Sequence, residues 1–465
     1  SLSYGNLVRL AAVMKRKIET TTGAGHVGIM MPSSCAFAGT FYGALWANRV
    51  AVPLNFLLQP AELAGVVADS EIDTLFTIRH FAEQVEGLGV KVVFIEDLPL
   101  KREMVLQRLR RTPRLPKVSA DDLAVLLYTS GTSGLPKGVC QTYGNLRHDV
   151  EASIEKARLR SDHRFLGALP QFHSFGLTTL LLVPVALGAS VYFIPRFHPA
   201  TVIETLRTQR ITVTLMIASM YAALLKSKKR PDEDMTMIEY AVSGGEPLLD
   251  EVRDNFAERF GVSLLQGYGM TEAAPVVSLN MPWANRLGTV GQPLRGVEVR
   301  AHDEDAKPLA PGEIGELWLQ GPTVMQGYYK QADATREVIT EDGWYKTGDM
   351  GSVDAEGYIT ITGRKKEMII VGGENVYPRE IESVLSRHPA VVECAVIGQA
   401  DASRGEVVVA FVTTQAGSEV SEIALREFCR DHIAGFKVPR RVIISDDLPR
   451  GPTGKVLKRL LAERL

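Results

Sequence analysis

The sequence predicts an α/β protein. It reads as a large N-terminal domain of mostly parallel sheets with helices, a β-rich subdomain within it, and a small α/β C-terminal domain joined by a hinge. Three observations carry this reading. Apolar runs at 27–31 and 50–53 flank a helical stretch at 35–47, and strand–helix–strand spacing implies parallel pairing. From Gly288 onward, glycines, prolines and short alternating runs take over, which is strand-and-turn chemistry. A charged break, Gly363-Arg-Lys-Lys-Glu367, then precedes a second, smaller α/β pattern. The expected divisions are 1–363 for the large domain, with its β-rich part at about 288–362, a hinge at about 364–366, and a small mobile domain at 367–465.

Composition narrows the class. The 465 residues are 45% hydrophobic and 23% charged, ordinary for a globular chain of a few domains. The formal net charge of −2 favours neither nucleic acid nor an anionic membrane surface. The four cysteines, Cys35, Cys140, Cys394 and Cys429, are far apart and form no C-x-x-C pair. That spacing argues against a disulfide scaffold or zinc site and for a reducing, cytoplasmic compartment. The start shows no signal-peptide pattern.

Along the chain, Pro32-Ser-Ser34 caps the helix at 35–47, and a helix at 61–69 leads to a strand at 74–78. A basic run occupies 101–117 and reads as a solvated face, or as a contact to membrane or to an acidic carrier protein. Residues 175–194 are apolar enough to suggest a membrane span. They contain Pro184 and Gly188, and are read instead as a buried helix followed by a strand at 190–194. Strands are expected at 210–217, 240–243 and 262–265. In the β-rich part they are expected at 297–300, 315–320 and 357–362. The small domain should hold strands at 391–398 and 406–413, a helix at 421–432 and a basic helix at 456–465.

The chemistry concentrates after an apolar strand at 122–127. Tyr128-Thr-Ser-Gly-Thr-Ser-Gly-Leu-Pro-Lys-Gly138 places glycines and hydroxyls beside one lysine. Glycine allows close backbone approach, and successive N–H groups in such a turn form an anion site. Thr129, Ser130, Gly131, Thr132, Ser133, Gly134 and Lys137 are the expected phosphate ligands. The spacing is not that of a Walker A loop. Ser243-Gly-Gly-Glu246 follows another strand, and its glycines suit a flat ring. In Gln266-Gly-Tyr-Gly-Met-Thr-Glu272, Thr271 suits a phosphate oxygen, Tyr268 a stacked base and Glu272 a Mg²⁺ ion. Asp349 in Tyr345-Lys-Thr-Gly-Asp349 suits a pair of ribose hydroxyls.

The loop at 128–138 resembles the signature of the adenylate-forming enzymes: acyl-CoA synthetases, peptide-synthetase adenylation domains and luciferase. The other motifs extend the likeness over essentially the whole chain. The resemblance implies ATP, Mg²⁺ and a thiol, either CoA or the phosphopantetheine of a carrier protein. It implies that Gly244, Gly245 and Glu246 border the adenine along with Gly267, Tyr268 and Gly269, and that Arg364 joins Asp349 at the ribose. It further implies that Lys366 is the hinge, that Gly372 and Gly373 line the thiol tunnel, and that Lys455 in Pro449-Arg-Gly-Pro-Thr-Gly-Lys455 is catalytic. It also implies a further segment before residues 2–7.

The implied reaction activates a carboxylic acid to acyl-AMP and transfers it to a thiol. Lys137, Thr271, Glu272 and Lys455 serve the phosphates, with His173 at the acid. Amino-acid-activating relatives carry an Asp after the Phe of Pro170-Gln-Phe-His-Ser-Phe-Gly176. His173 stands there, so a substrate ammonium would lack a partner. The expected substrate is therefore a hydrophobic acid, a fatty acid first and an aryl acid as the alternative. An acyl-AMP ligase serving an acyl carrier protein stays open. A nucleotide-binding module without catalysis is disfavoured by the presence of Lys455, Glu272 and Asp349.

Overall fold

The computed structural model describes residues 2–129, 136–228, 235–401, 403–415, 417–450 and 456–465. Two compact units emerge. One comprises Ser1–Pro247, Phe256–Glu298 and Leu319–Tyr345, the other Leu248–Asn255, Val299–Trp318 and Lys346–Leu465.

The first unit is built on two seven-stranded sheets. In the first sheet the order is Gly327–Tyr328, Lys137–Thr142, Leu123–Thr129, Val50–Pro53, His26–Met30, Thr74–Thr77, Lys91–Phe94. Its interior is parallel, with His26 opposite Val50 and Gly28 opposite Leu75. The expected strand–helix–strand unit is there. Its helix, Cys35–Trp46, starts where the Ser34 hydroxyl accepts the Phe37 N–H at 3.2 Å, satisfying one of the free donors of the first turn.

The second sheet runs Gln292–Pro293, Val276–Leu279, Leu264–Gly269, Tyr240–Ser243, Val213–Met216, Arg164–Gly167, Ser190–Phe193. It too is parallel inside and antiparallel at one flank. The apolar stretch at 175–194 is helical from Ser174 to Leu187, with a π turn at Thr178–Leu182, before the strand Ser190–Phe193. Gly188, at φ 70°, ends that helix in the left-handed region, as glycine does best. Among the described residues no helix is long and apolar enough to cross a membrane.

The second unit carries a four-stranded sheet in the order Glu298–His302, Gly315–Gln320, Tyr345–Val353, Ile359–Arg364. Beyond it a five-stranded sheet orders Glu374–Val376, Ile369–Val371, Gly405–Thr414 and Val391–Asp401, with Arg441–Ile444 parallel to Gly405–Thr414. Helices Pro378–Leu385 and Glu422–Arg430 bury Ile381, Leu385, Leu425 and Cys429 against this sheet.

Three elements differ from expectation. The strand expected at 262–265 is Leu264–Gly269, because antiparallel pairing with Val276–Leu279 carries it through its glycines. The last helix is shorter than 456–465, spanning Lys458–Ala462. Of the β-rich stretch, Gln292–Pro293 joins the second large sheet and Gly327–Tyr328 the first. Alternation marks a strand but not its partner.

Asp149, on the helix Tyr143–Lys156, is fully buried. Neither carboxyl oxygen makes a well-formed hydrogen bond, and the Val276 backbone offsets the burial only in part. Burial therefore holds the carboxyl well above its usual range, since the charged form is the one penalised. A folded-state pKa above the unfolded value costs stability as pH rises past the unfolded value. Asp149→Asn is thus expected to raise the thermal midpoint at neutral pH, with the gain shrinking as pH falls towards about 4. Thermal unfolding across that range checks this; a gain independent of pH would contradict it.

Candidate active site

The strands at either end of the glycine-rich signature, Leu123–Thr129 and Lys137–Thr142, pair antiparallel. Thr129 and Lys137 face each other across the antiparallel pair, with Tyr128 opposite Gly138. The expected phosphate ligands Ser130, Gly131, Thr132, Ser133 and Gly134 lie outside the described residues. At the end of the strand pair, Lys137 Nζ sits 4.8 Å from the centre of the Tyr328 ring. Tyr328 donates to Glu272 Oε1 at 3.1 Å, and Tyr345 in turn hydrogen-bonds Tyr328. Burial, reinforced by the Glu272 charge, raises both phenols. They therefore stay neutral donors, and the relay ends on a carboxylate.

Thr271 and Glu272 form a short turn, Thr271–Ala273, just past the strand Leu264–Gly269. Gln141 Nε2 donates to the Thr271 carbonyl at 2.5 Å, and the Glu272 carbonyl accepts the Met325 N–H at 2.8 Å. The Thr271 and Ser174 hydroxyls lie 3.1 Å apart. Gly269 is required at this turn, because a Cβ there would stand 2.2 Å from the Pro275 carbonyl oxygen. Among the described residues no cluster of three or more His, Cys, Asp or Glu could hold a metal ion. A single carboxylate, Glu272, still fits Mg²⁺, which commonly takes one or two carboxylates and completes its octahedron with phosphates and water.

Gly244 and Gly245 follow the strand Tyr240–Ser243, with Gly245 at φ 77°. A Cβ on Gly244 would press on the Phe175 ring at 3.2 Å. The Glu246 carboxylate accepts the Ser219 N–H at 3.0 Å, so this side chain serves the start of the helix Ala218–Leu225. His173 is exposed, and its Nδ1 accepts the Phe175 N–H at 3.2 Å, capping the helix Ser174–Leu177.

Gly244, Gly245 and His173 border a cavity of about 860 Å³, its open mouth included. His173, Ser174, Gly244, Gly245, Gly267, Tyr268 and Gly269 line it together with apolar side chains such as Phe165, Phe175, Val213, Leu215 and Val242. Among the described residues no Lys, Arg, Asp or Glu lines it.

In the second unit Asp349 and Arg364 are cross-strand partners, and Arg364 Nε reaches Asp349 Oδ1 at 2.7 Å. The Thr347 hydroxyl accepts the Asp349 N–H at 2.9 Å. Lys365 pairs with Glu316 at 2.8 Å, Lys366 is exposed, and Glu367 pairs with Lys458 at 2.8 Å. Gly372 and Gly373, at φ 62° and 91°, form the two-residue turn between Ile369–Val371 and Glu374–Val376. Two successive positive φ angles are the glycine-demanding hairpin geometry. Lys455 lies outside the described residues.

Sequence reasoning missed two features. Tyr328 and Tyr345 carried no local signal, since their partners are far along the chain. A hollow lined by Arg404, Arg426, Arg430 and Arg440 around Phe436 had one: Arg426 and Arg430 are four apart, hence neighbours on one helix face.

The family described as AMP-binding enzyme matches residues 4–329, and the AMP-binding enzyme C-terminal domain matches 380–455. The chain is 35% identical to a feruloyl-CoA synthase from an Amycolatopsis species, over 98% of this chain and 93% of that protein. A long-chain-fatty-acid–CoA ligase from Salmonella typhimurium is 33% identical over 94% of this chain and 85% of its own length. The crystal structure of ATP-bound MatB from Rhodopseudomonas palustris superimposes with a TM-score of 0.91 and 31% identity, covering 100% of this chain and 93% of that one.

Gly269→Ala is expected to destabilise the first unit, because the clash is with backbone that cannot swing away. Overpacking of this kind costs about 1–3 kcal/mol. Gly244→Ala, which meets only the edge of a side chain, should cost less. Thermal unfolding of the two variants side by side checks the order; equal midpoints would contradict it.

Proposed function

The chain belongs to the AMP-binding enzyme family, and on that premise we propose how its residues divide the work of an acid–CoA ligase acting through an acyl adenylate. The substrate carboxylate attacks the α-phosphorus of ATP and expels pyrophosphate. The CoA thiol then attacks the acyl adenylate and expels AMP. Both steps ask the protein for position and charge stabilisation rather than a protein nucleophile.

Lys137 and the Thr271 hydroxyl are assigned to the phosphates. Glu272, held by Tyr328, would hold Mg²⁺, which when bound neutralises phosphate charge. Gly244, Gly245, Gly267 and Tyr268 are assigned to the adenine, and Asp349 with Arg364 to the ribose hydroxyls. Lys455 is assigned to the developing charge of the first step. His173 caps the turn that leads into the acid cavity and acts there by position.

The observation that carries the substrate reading is the uncharged cavity behind His173. Among the described residues it has no carboxylate for an ammonium and no cation for a second acid group, and either charge would be costly to bury unpaired. A hydrophobic monocarboxylic acid fits, with a medium- or long-chain fatty acid and an aryl acid both accommodated. The arginine hollow at Phe436 favours CoA as acceptor. CoA carries several phosphates and an aromatic base, whereas a carrier protein offers one phosphate on a bare arm. The four cysteines are unbridged, which suits a cytoplasmic setting.

Lys366 is proposed as the hinge. Arg364 and Lys365 are tied to Asp349 and Glu316, on strands of the four-stranded sheet, while Glu367 is tied to Lys458 in the last helix. Lys366 is the residue between the two sets of ties, and hinges are such short connections.

ATP–pyrophosphate exchange across a panel of acids should respond to hydrophobic monocarboxylic acids and not to free amino acids or dicarboxylic acids. Exchange driven by an amino acid would overturn the substrate reading. Offering CoA and a holo carrier protein side by side should give thioester with CoA. Lys455→Ala is expected to slow adenylation about 10²–10³-fold, the loss typical of one charge-stabilising donor, while thioester formation from supplied acyl adenylate persists. Equal loss in both half-reactions would remove Lys455 from its assigned role.

A further inference from the structure

The cavity wall is apolar apart from a few hydroxyls, and most of these are committed. Thr179 Oγ1 donates to the Phe175 carbonyl at 2.7 Å, and Ser278 Oγ to the Val290 carbonyl at 2.9 Å. Ser174 Oγ engages Thr271. Ser153 is different. It lines the cavity from the helix Tyr143–Lys156, is 8% exposed, and its Oγ is buried without a hydrogen-bond partner. A serine hydroxyl in a helix normally bonds back to the preceding turn or reaches water, and leaving it unpaired in a dry wall is costly.

The surroundings of Ser153 are the buried side of the cavity, where Ala157, Phe165, Val213 and Tyr240 are all buried. The exposed lining residues are His173 and Gly245. One helical turn before Ser153 stands Asp149, fully buried, its carboxyl pushed well above its usual range by that burial. Among the described residues no Lys or Arg lines the wall, so the spot offers no cation to an anionic tail.

We infer that Ser153 Oγ is a specificity-determining contact that hydrogen-bonds a neutral oxygen at the far end of the substrate, so that the preferred acid is a monocarboxylic acid bearing a hydroxyl or phenol there. A serine hydroxyl both donates and accepts, which matches a hydroxyl partner of either polarity. The inference rests on the acid–CoA ligase reading and narrows its substrate class. A site with a buried group left unpaired by the wrong ligand discriminates strongly against the analogue lacking the oxygen.

The test measures kcat/KM in ATP–pyrophosphate exchange for acid pairs differing only in the distal oxygen. These are 4-hydroxycinnamic against cinnamic acid, and 12-hydroxydodecanoic against dodecanoic acid. The wild-type protein should favour one oxygenated member by about 10–100-fold, the range expected from one buried hydrogen bond. Ser153→Ala should collapse that ratio towards one, chiefly by raising KM for the oxygenated acid. A wild-type protein that treats each pair alike or prefers both plain acids overturns the inference, as does a ratio that survives Ser153→Ala. Exchange with plain acids alone would leave the ligase reading standing while removing Ser153 from specificity. Exchange with no acid at all would remove both.

Discussion

The first unit turns on the contact of Lys137, Tyr328 and Glu272. Lys137 begins a strand of one large sheet, Glu272 sits past the end of a strand of the other, and Tyr328 reaches both, with its ring against the ammonium and its hydroxyl on the carboxylate. Lys137 and Glu272 are thereby both held against the same tyrosine. A cation on an aromatic face keeps its charge available. Tyr345 stabilises the arrangement from behind, and the raised phenol pKa values keep the relay from ionising.

Around that contact the backbone is shaped by close approach. Gly269 passes the Pro275 carbonyl at a distance no Cβ would tolerate, and Gly244 lies against Phe175. Both glycines face the cavity, so the same positions that let the chain fold tightly also leave the site open to a ligand. The π turn at Thr178–Leu182 lies in the helix behind the mouth. Such turns occur often at functional sites, and here Thr178 and Thr179 bind backbone carbonyls of Ala274 and Phe175.

The second unit shows a different economy of charge. Its ion pairs divide at Lys366: Arg364 and Lys365 hold to one sheet, Glu367 to the last helix through Lys458, which also reaches Glu382 at 2.9 Å. Partly exposed pairs add little to stability, but they keep each segment registered to its own sheet and leave the turn between them unencumbered. The arginine hollow beside Phe436 concentrates positive charge in a chain whose overall balance is slightly acidic. Local fields of this kind are invisible in a net charge.

Much was legible in the sequence because it is local. Apolar runs, caps and glycine punctuation located the parallel units and the buried reading of 175–194. The ordered motifs identified the family that the relatives and folds bear out. What the sequence could not supply were partners brought by strand order. The strand Gly327–Tyr328 pairs beside Lys137–Thr142, and Tyr328 bonds Glu272. The motif placed Glu246 at the nucleotide, and tertiary packing sends its carboxylate to Ser219. Ser153 reads as one more helical serine until the walls of the cavity leave its hydroxyl without a partner. Secondary structure follows from neighbours along the chain, whereas the environment of a side chain is set by residues distant in it, 27 positions away for Glu246 and 56 for Tyr328.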